Sequence, residues 1–78
     1  MEKRVWELSV VSPQISFQAD REAVVEGKCR IIDYDEDRVL LRADRYCLQF
    51  WGRDLTVTSL SQEYLVIRGK LLRFEFLE

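Results

Sequence analysis

The sequence predicts an all-β domain, an antiparallel meander of short strands, on three observations. Runs of alternating apolar and polar residues follow one another through most of the chain, the period of half-buried strands. Gly-Lys or Gly-Arg pairs stand at Gly27, Gly52 and Gly69. At the last two, the apolar set changes parity: Leu48 and Phe50 give way to Leu55 and Val57, and Leu65 and Ile67 to Leu72, Phe74 and Phe76. A two-residue Gly-X loop, with glycine supplying a positive φ, makes such a switch by folding the chain back on itself.

Taken in order, Trp6, Leu8 and Val10 form the first alternating run. Ser12-Pro13 ends it, because proline sets a turn and cannot donate within an inner strand. Ile15 and Phe17 share one face of the next run, with Gln14, Ser16 and Gln18 on the other. Ala19-Asp20-Arg21 reads as a loop, after which Ala23 and Val25 lead to Gly27-Lys28. Ile32 and Tyr34 lead to a turn at Asp35-Glu36, and Val39 and Leu41 to a turn at Asp44-Arg45. The two Gly-X joints at Gly52 and Gly69 come next, with a loop at Leu60-Ser61-Gln62 between them.

Reading every joint as a hairpin sets one register for the whole chain. One row of side chains then runs Leu8, Phe17, Ala23, Ile32, Val39, Phe50, Leu55, Ile67, Leu72. The next runs Val10, Ile15, Val25, Arg30, Leu41, Leu48, Val57, Leu65, Phe74, with Arg30 as its one polar member. A one-residue slip would scatter these residues over both faces. The expectation is about nine strands of ~5–6 residues, curled into a small barrel or roll, or covered by dimerisation. If each glycine is instead a β-bulge inside a longer bent strand, the same parity change yields fewer, longer strands. The uneven spacing of the three glycines argues against a regular solenoid.

Residues 1–78 read as a single β domain, near the size where a chain buries only about 60% of its unfolded surface. Twelve basic and fourteen acidic residues are interspersed, so no basic field for nucleic acid is expected. Histidine is absent, which removes the commonest general base and the commonest metal ligand. Glu7 interrupts the first apolar run, and nothing approaches ~18 consecutive apolar residues, so neither a signal peptide nor a membrane span is expected.

Three constellations invite a chemical reading. Asp33, Asp35 and Asp37, with Asp44 in the twelfth position, resemble the start of a calcium loop. The required glycine is Arg38 and the closing glutamate is missing, so a polar hairpin tip is the better reading. Cys29 and Cys47 fall on outward-facing positions of strands separated by the one carrying Arg42. That puts their Cα atoms roughly 10 Å apart, beyond the ~7 Å a disulfide spans. Reduced thiols are expected, and no metal. Ser59 and Ser61 have no base beside them, and no nucleophile elbow or phosphate-cradling loop is present. No enzyme activity, cofactor or small-molecule substrate is expected.

The outer face carries a different signal. In the expected register Val24, Ile31 and Leu40 lie side by side, followed by Gln49, Thr56, Val66 and Arg73. Beside them Asp33 meets Arg38, Arg38 meets Trp51, and Asp54 meets Arg68. Ordinary surface pairing accounts for these residues at ~0–1 kcal/mol per contact. A partner-docking patch made of Val24, Ile31, Leu40, Trp51 and Val66 accounts for them equally well.

The chain resembles the YabP/YqfC sporulation proteins. The resemblance rests on Pro13-x-Ile15, on Val25-Glu26-Gly27 followed by Ile32-x-Tyr34, on Gly52-Arg53-x-Leu55-x-Val57 and on Leu65-x-Ile67-x-Gly69. It spans residues 13–76 and departs at Lys28-Cys29-Arg30, where a more polar segment is expected. It implies a non-enzymatic protein made in the mother cell, cytoplasmic or membrane-associated through a partner. It also implies what that partner is, a membrane-embedded sporulation protein, because family members are often encoded beside one. An adaptor is the leading expectation. A self-assembling β module, a homo-oligomer joined through its first and last strands, is the alternative.

Overall fold

In the computed structural model, residues 12–77 are described. They form six strands: β1 (Gln14–Gln18), β2 (Glu22–Glu26), β3 (Cys29–Asp35), β4 (Arg38–Ala43), β5 (Tyr46–Leu60) and β6 (Tyr64–Leu77). All pair antiparallel in one open sheet, in the order β1-β2-β6-β5-β4-β3. The class is the predicted one, but strands are fewer and longer and no barrel closes. The expected strand over Trp6, Leu8 and Val10 lies outside the described residues.

The long β5–β6 ribbon explains the reduced strand number. β5 has 15 residues and β6 has 14. Gly52-Arg53 and Gly69-Lys70 are not hairpin loops: Arg53 pairs with Lys70, so the two joints lie side by side across the ribbon. The ladder shifts between Trp51 and Gly52, between Arg53 and Thr56, and between Val57 and Ser59. Such bulges add an unpaired residue, bend the strand and reverse the parity of the residues beyond it. Phe50 therefore opposes Phe74 rather than Leu55, and Ile67 opposes Val57 rather than Leu72.

The bent ribbon serves two half-sheets. Its open ends, Tyr46–Trp51 and Arg73–Leu77, extend the β3–β4 hairpin; its turn end, Thr56–Leu60 and Tyr64–Arg68, extends the β1–β2 hairpin. Only Gly27 and Lys28 separate β2 from β3, so their ends lie within ~11 Å. In a flat sheet those strands would stand ~19 Å apart, four strand spacings. The sheet must fold over on itself. At the corner Gly27 N–H donates to Glu63 O (2.8 Å) and Lys28 O accepts from Asp44 N–H (2.9 Å), one bond to each half. Gly27 has φ +142°, and a Cβ there would stand 2.6 Å from Asp44 Oδ2. The predicted hairpin at Gly27-Lys28 is thus a corner between the two halves.

The fold-over makes the core. Ala23, Val25, Leu65 and Ile67 from one half meet Val39, Leu41, Ala43, Leu48 and Phe50 from the other, with Leu55 at the bend. Each large side chain so buried contributes about 1.5–3 kcal/mol. The predicted pairs Ile15–Val25, Phe17–Ala23, Val39–Phe50 and Leu41–Leu48 are all present.

Three predicted core positions are not. A bulge between Ile31 and Asp33 leaves Ile32 exposed and turns Ile31 inward opposite Leu41. Leu72, the extra residue in the ladder between Arg73 and Leu71, is exposed, and Phe17 is half-exposed. Arg30 now pairs with Arg42 instead of facing Leu41.

Candidate partner-binding surface

The outer face of β3–β6 carries a connected set of polar and aromatic side chains. Register places Arg38, Trp51 and Arg73 in one row, and Leu40, Gln49 and Glu75 in the next. The guanidinium carbons of Arg38 and Arg73 lie 5.7 and 5.2 Å from the Trp51 ring centroid, a cation–π arrangement worth about 0.5–1 kcal/mol per contact at a wet surface. Beneath the ring, Trp51 Nε1–H and Gln49 Nε2–H both donate to Glu75 Oε2, at 3.3 and 2.7 Å. Arg38 donates to Gln49 Oε1 (2.8 Å) and to Asp33. Gln49 is thereby buried with its amide satisfied on both atoms. The bonds from Gln49 and Trp51, with Arg73 nearby, lower the Glu75 carboxyl below its ordinary value. Trp51 itself stays half-exposed.

The five predicted contact residues divide. Leu40 and Trp51 share this outer face, while Val24 and Val66 pair with each other on the other half-sheet. Ile31 leaves the set altogether, because the bulge after it turns its side chain onto the core. The predicted contacts of Asp33 with Arg38 and of Arg38 with Trp51 are present. That of Asp54 with Arg68 is not: Arg68 pairs with Glu22 at 3.2 Å. Glu75, which the prediction did not single out, holds the Trp51 arrangement together. Only the bulges bring it beside Gln49.

The other constellations resolve as structural. Asp35 Oδ1 accepts from the backbone N–H groups of Asp37 and Arg38, at 2.8 and 3.0 Å, which ties the aspartate run to its hairpin turn. Among the described residues no three His, Cys, Asp or Glu side chains group as metal ligands. Both cysteines are free. Cys29 is not outward as predicted: it packs against the core and its thiol reaches Gly27 O at 3.3 Å. Burial, with Asp44 nearby, raises its pKa.

A second surface is apolar. Phe17, Phe50, Leu71, Leu72 and Phe74 line a hollow of ≈ 190 Å³ between β1 and the last residues of β6. The rings of Phe17, Phe74, Phe76 and Tyr46 continue it at centroid distances of 5.6, 5.0 and 6.2 Å.

A family model, that of the YabP family, matches residues 11–78. The chain belongs to the YabP family. Membership implies a sporulation protein. No curated protein and no solved structure gives a significant match. In this YabP-family chain the matched residues include both half-sheets and the whole bent ribbon, so the match takes in the fold as one unit.

Proposed function

We propose that the protein is a non-enzymatic sporulation adaptor that docks on a membrane-embedded partner and is held at the mother-cell membrane by that contact. One observation carries the reading: Trp51 is presented half-exposed between Arg38 and Arg73, with Glu75 and Gln49 fixing it from below. Tryptophan and arginine dominate binding energy at protein interfaces, and a side chain already held in place loses little entropy on docking. Leu40 supplies apolar surface beside the ring. The test is co-purification, in detergent, with a co-expressed membrane-embedded sporulation protein of the same organism. Trp51→Ala should weaken binding about 30-fold, the ~2 kcal/mol of a hot-spot truncation, and Leu40→Lys should abolish capture, both with unchanged circular dichroism. Full capture by both variants would reject this face. A self-assembling module is the second reading, favoured by the end of β6, which among the described residues pairs with β5 alone.

A further inference from the structure

We infer that the outer edge of β6 is a self-pairing surface, on which two copies join antiparallel across Leu72–Leu77 with Phe74 facing Phe74 at the twofold axis. This rests on the self-assembly reading and not on the adaptor one, with Arg73 and Glu75 bordering both surfaces.

The edges of the sheet are not alike. β3 carries Arg30, Asp33 and Asp35 and is interrupted by the bulge at Ile32. β1 has only five residues, follows Pro13 and presents Gln14, Ser16 and Gln18. Charge, bulges and short length are the ordinary protections of an edge. Along β6, Leu65 and Ile67 pair with β2, and the N–H groups of Gly69 and Leu71 donate to Arg21 O and Asp20 O at 3.2 and 2.7 Å. Beyond Leu71, among the described residues, β5 is the strand's only neighbour. Its apolar residues there are Leu72, Phe74, Phe76 and Leu77. Leu72 and Phe76 are 58% and 59% exposed, more than any other large apolar residue described.

Hydrogen-bond phase decides what that edge offers. Ala43 and Tyr46 close a two-residue loop, which makes them a hydrogen-bonded pair. Alternation from there directs Cys47, Gln49 and Trp51 of β5 toward β6, where they meet Leu77, Glu75 and Arg73. The N–H and C=O groups of Phe74 and Phe76 therefore point outward.

The side chains suit a second copy of this same segment. A twofold interface must be complementary to itself. With Phe74 on the axis, Arg73 of each copy stands opposite Glu75 of the other, and Leu72 stands opposite Phe76. Centring on Arg73 or Glu75 instead would set like charges face to face. Both intrachain bonds to Glu75 use Oε2, so Oε1 remains to accept from the second copy's Arg73. Leu72 lines the hollow formed with Phe17, Phe50, Leu71 and Phe74, and the opposing Phe76 ring lies at its mouth.

Sedimentation of the full chain across a micromolar concentration series tests this. The wild type should shift from monomer to dimer, while Phe76→Lys should stay monomeric with an unchanged circular-dichroism spectrum and unchanged capture of the membrane partner. A mixture of Leu72→Cys and Phe76→Cys chains, both in a Cys29→Ser/Cys47→Ser background, should give the mixed disulfide in preference to either homodisulfide, since paired Cα atoms would lie ~5.5 Å apart. A wild type that stays monomeric, a dimer that Phe76→Lys leaves intact, or cross-linking without preference would each overturn the assignment.

Discussion

The β1–β2 and β3–β4 hairpins attach to the ribbon in the same way, and they differ in how each outer strand meets it. The tip of β3–β4 accepts from Gly52 N–H and Leu55 N–H through Asp37 O and Glu36 O, at 2.9 and 2.8 Å. The tip of β1–β2 accepts likewise from Gly69 and Leu71. The ribbon strands repeat as well: Leu48, Phe50, Gly52 and Arg53 correspond to Leu65, Ile67, Gly69 and Lys70. At the gap between β3 and the turn end of β5, the Tyr34 hydroxyl accepts from Val57 N–H at 3.1 Å and lies 3.5 Å from Leu55 O. At the matching gap between β1 and the open end of β6 stands Phe17, whose ring packs against those of Phe50 and Phe74. One side chain with a hydroxyl bonds to a strand edge; one without lines the gap with apolar surface. The same attachment thus gives one gap bridged by hydrogen bonds and one lined by aromatic rings.

The largest effect should come from breaking what the halves share. A Cβ on Gly52 would meet Lys70 O at 2.0 Å and Leu55 Cδ2 at 2.8 Å. The carbonyl belongs to the facing strand, so Gly52→Ala must open the ribbon. We expect a loss of about 3 kcal/mol or more, enough to unfold much of a domain this small, read as a collapse of the thermal transition.

The Tyr34 contact sharpens the contrast at lower cost. Tyr34→Phe keeps the ring and removes the partner of the Val57 amide, for about 1 kcal/mol. Hydrogen exchange should accelerate at Val57 while Ile67 and Leu48 stay protected. Uniform acceleration would mean that the gap is not a separate unit.

The smallest effect concerns pH. The pKa of Glu75 is lowered by its bonds from Gln49 and Trp51, with Arg73 adding to the shift. Its stabilising contribution is therefore full above the unfolded glutamate value and fades as pH falls through the lower folded one. Glu75→Gln should lower stability slightly at neutral pH and flatten the acid limb, so that the two stability curves converge at low pH. An identical limb would show that the carboxylate is not held as described.

Much of the fold was legible because local chemistry enforces it. Asp44-Arg45 and the segment around Asp20 turn the chain wherever they are, so the β4–β5 and β1–β2 registers come from counting. Arg30 was a readable warning: a charged residue in a predicted core row pointed to the extra residue now seen at Ile32. Glycine was the ambiguous symbol. A Gly-X pair reverses parity as a two-residue turn or as part of a bulged strand, and alternation alone does not separate the two. The site was legible only in part for the same reason, since Glu75 meets Gln49 and Trp51 only through the bulged ribbon pairing.

By itself the chain order of apolar and polar residues determined an all-β domain with one oily face, its family, and the tight turns, because period-two patterning and turn residues act over a few neighbours. Which strands meet across the fold was decided only in three dimensions. Two bent strands had to lie side by side before a flat meander could double over, and that long-range pairing placed Trp51 over Glu75 and left the end of β6, among the described residues, beside β5 alone.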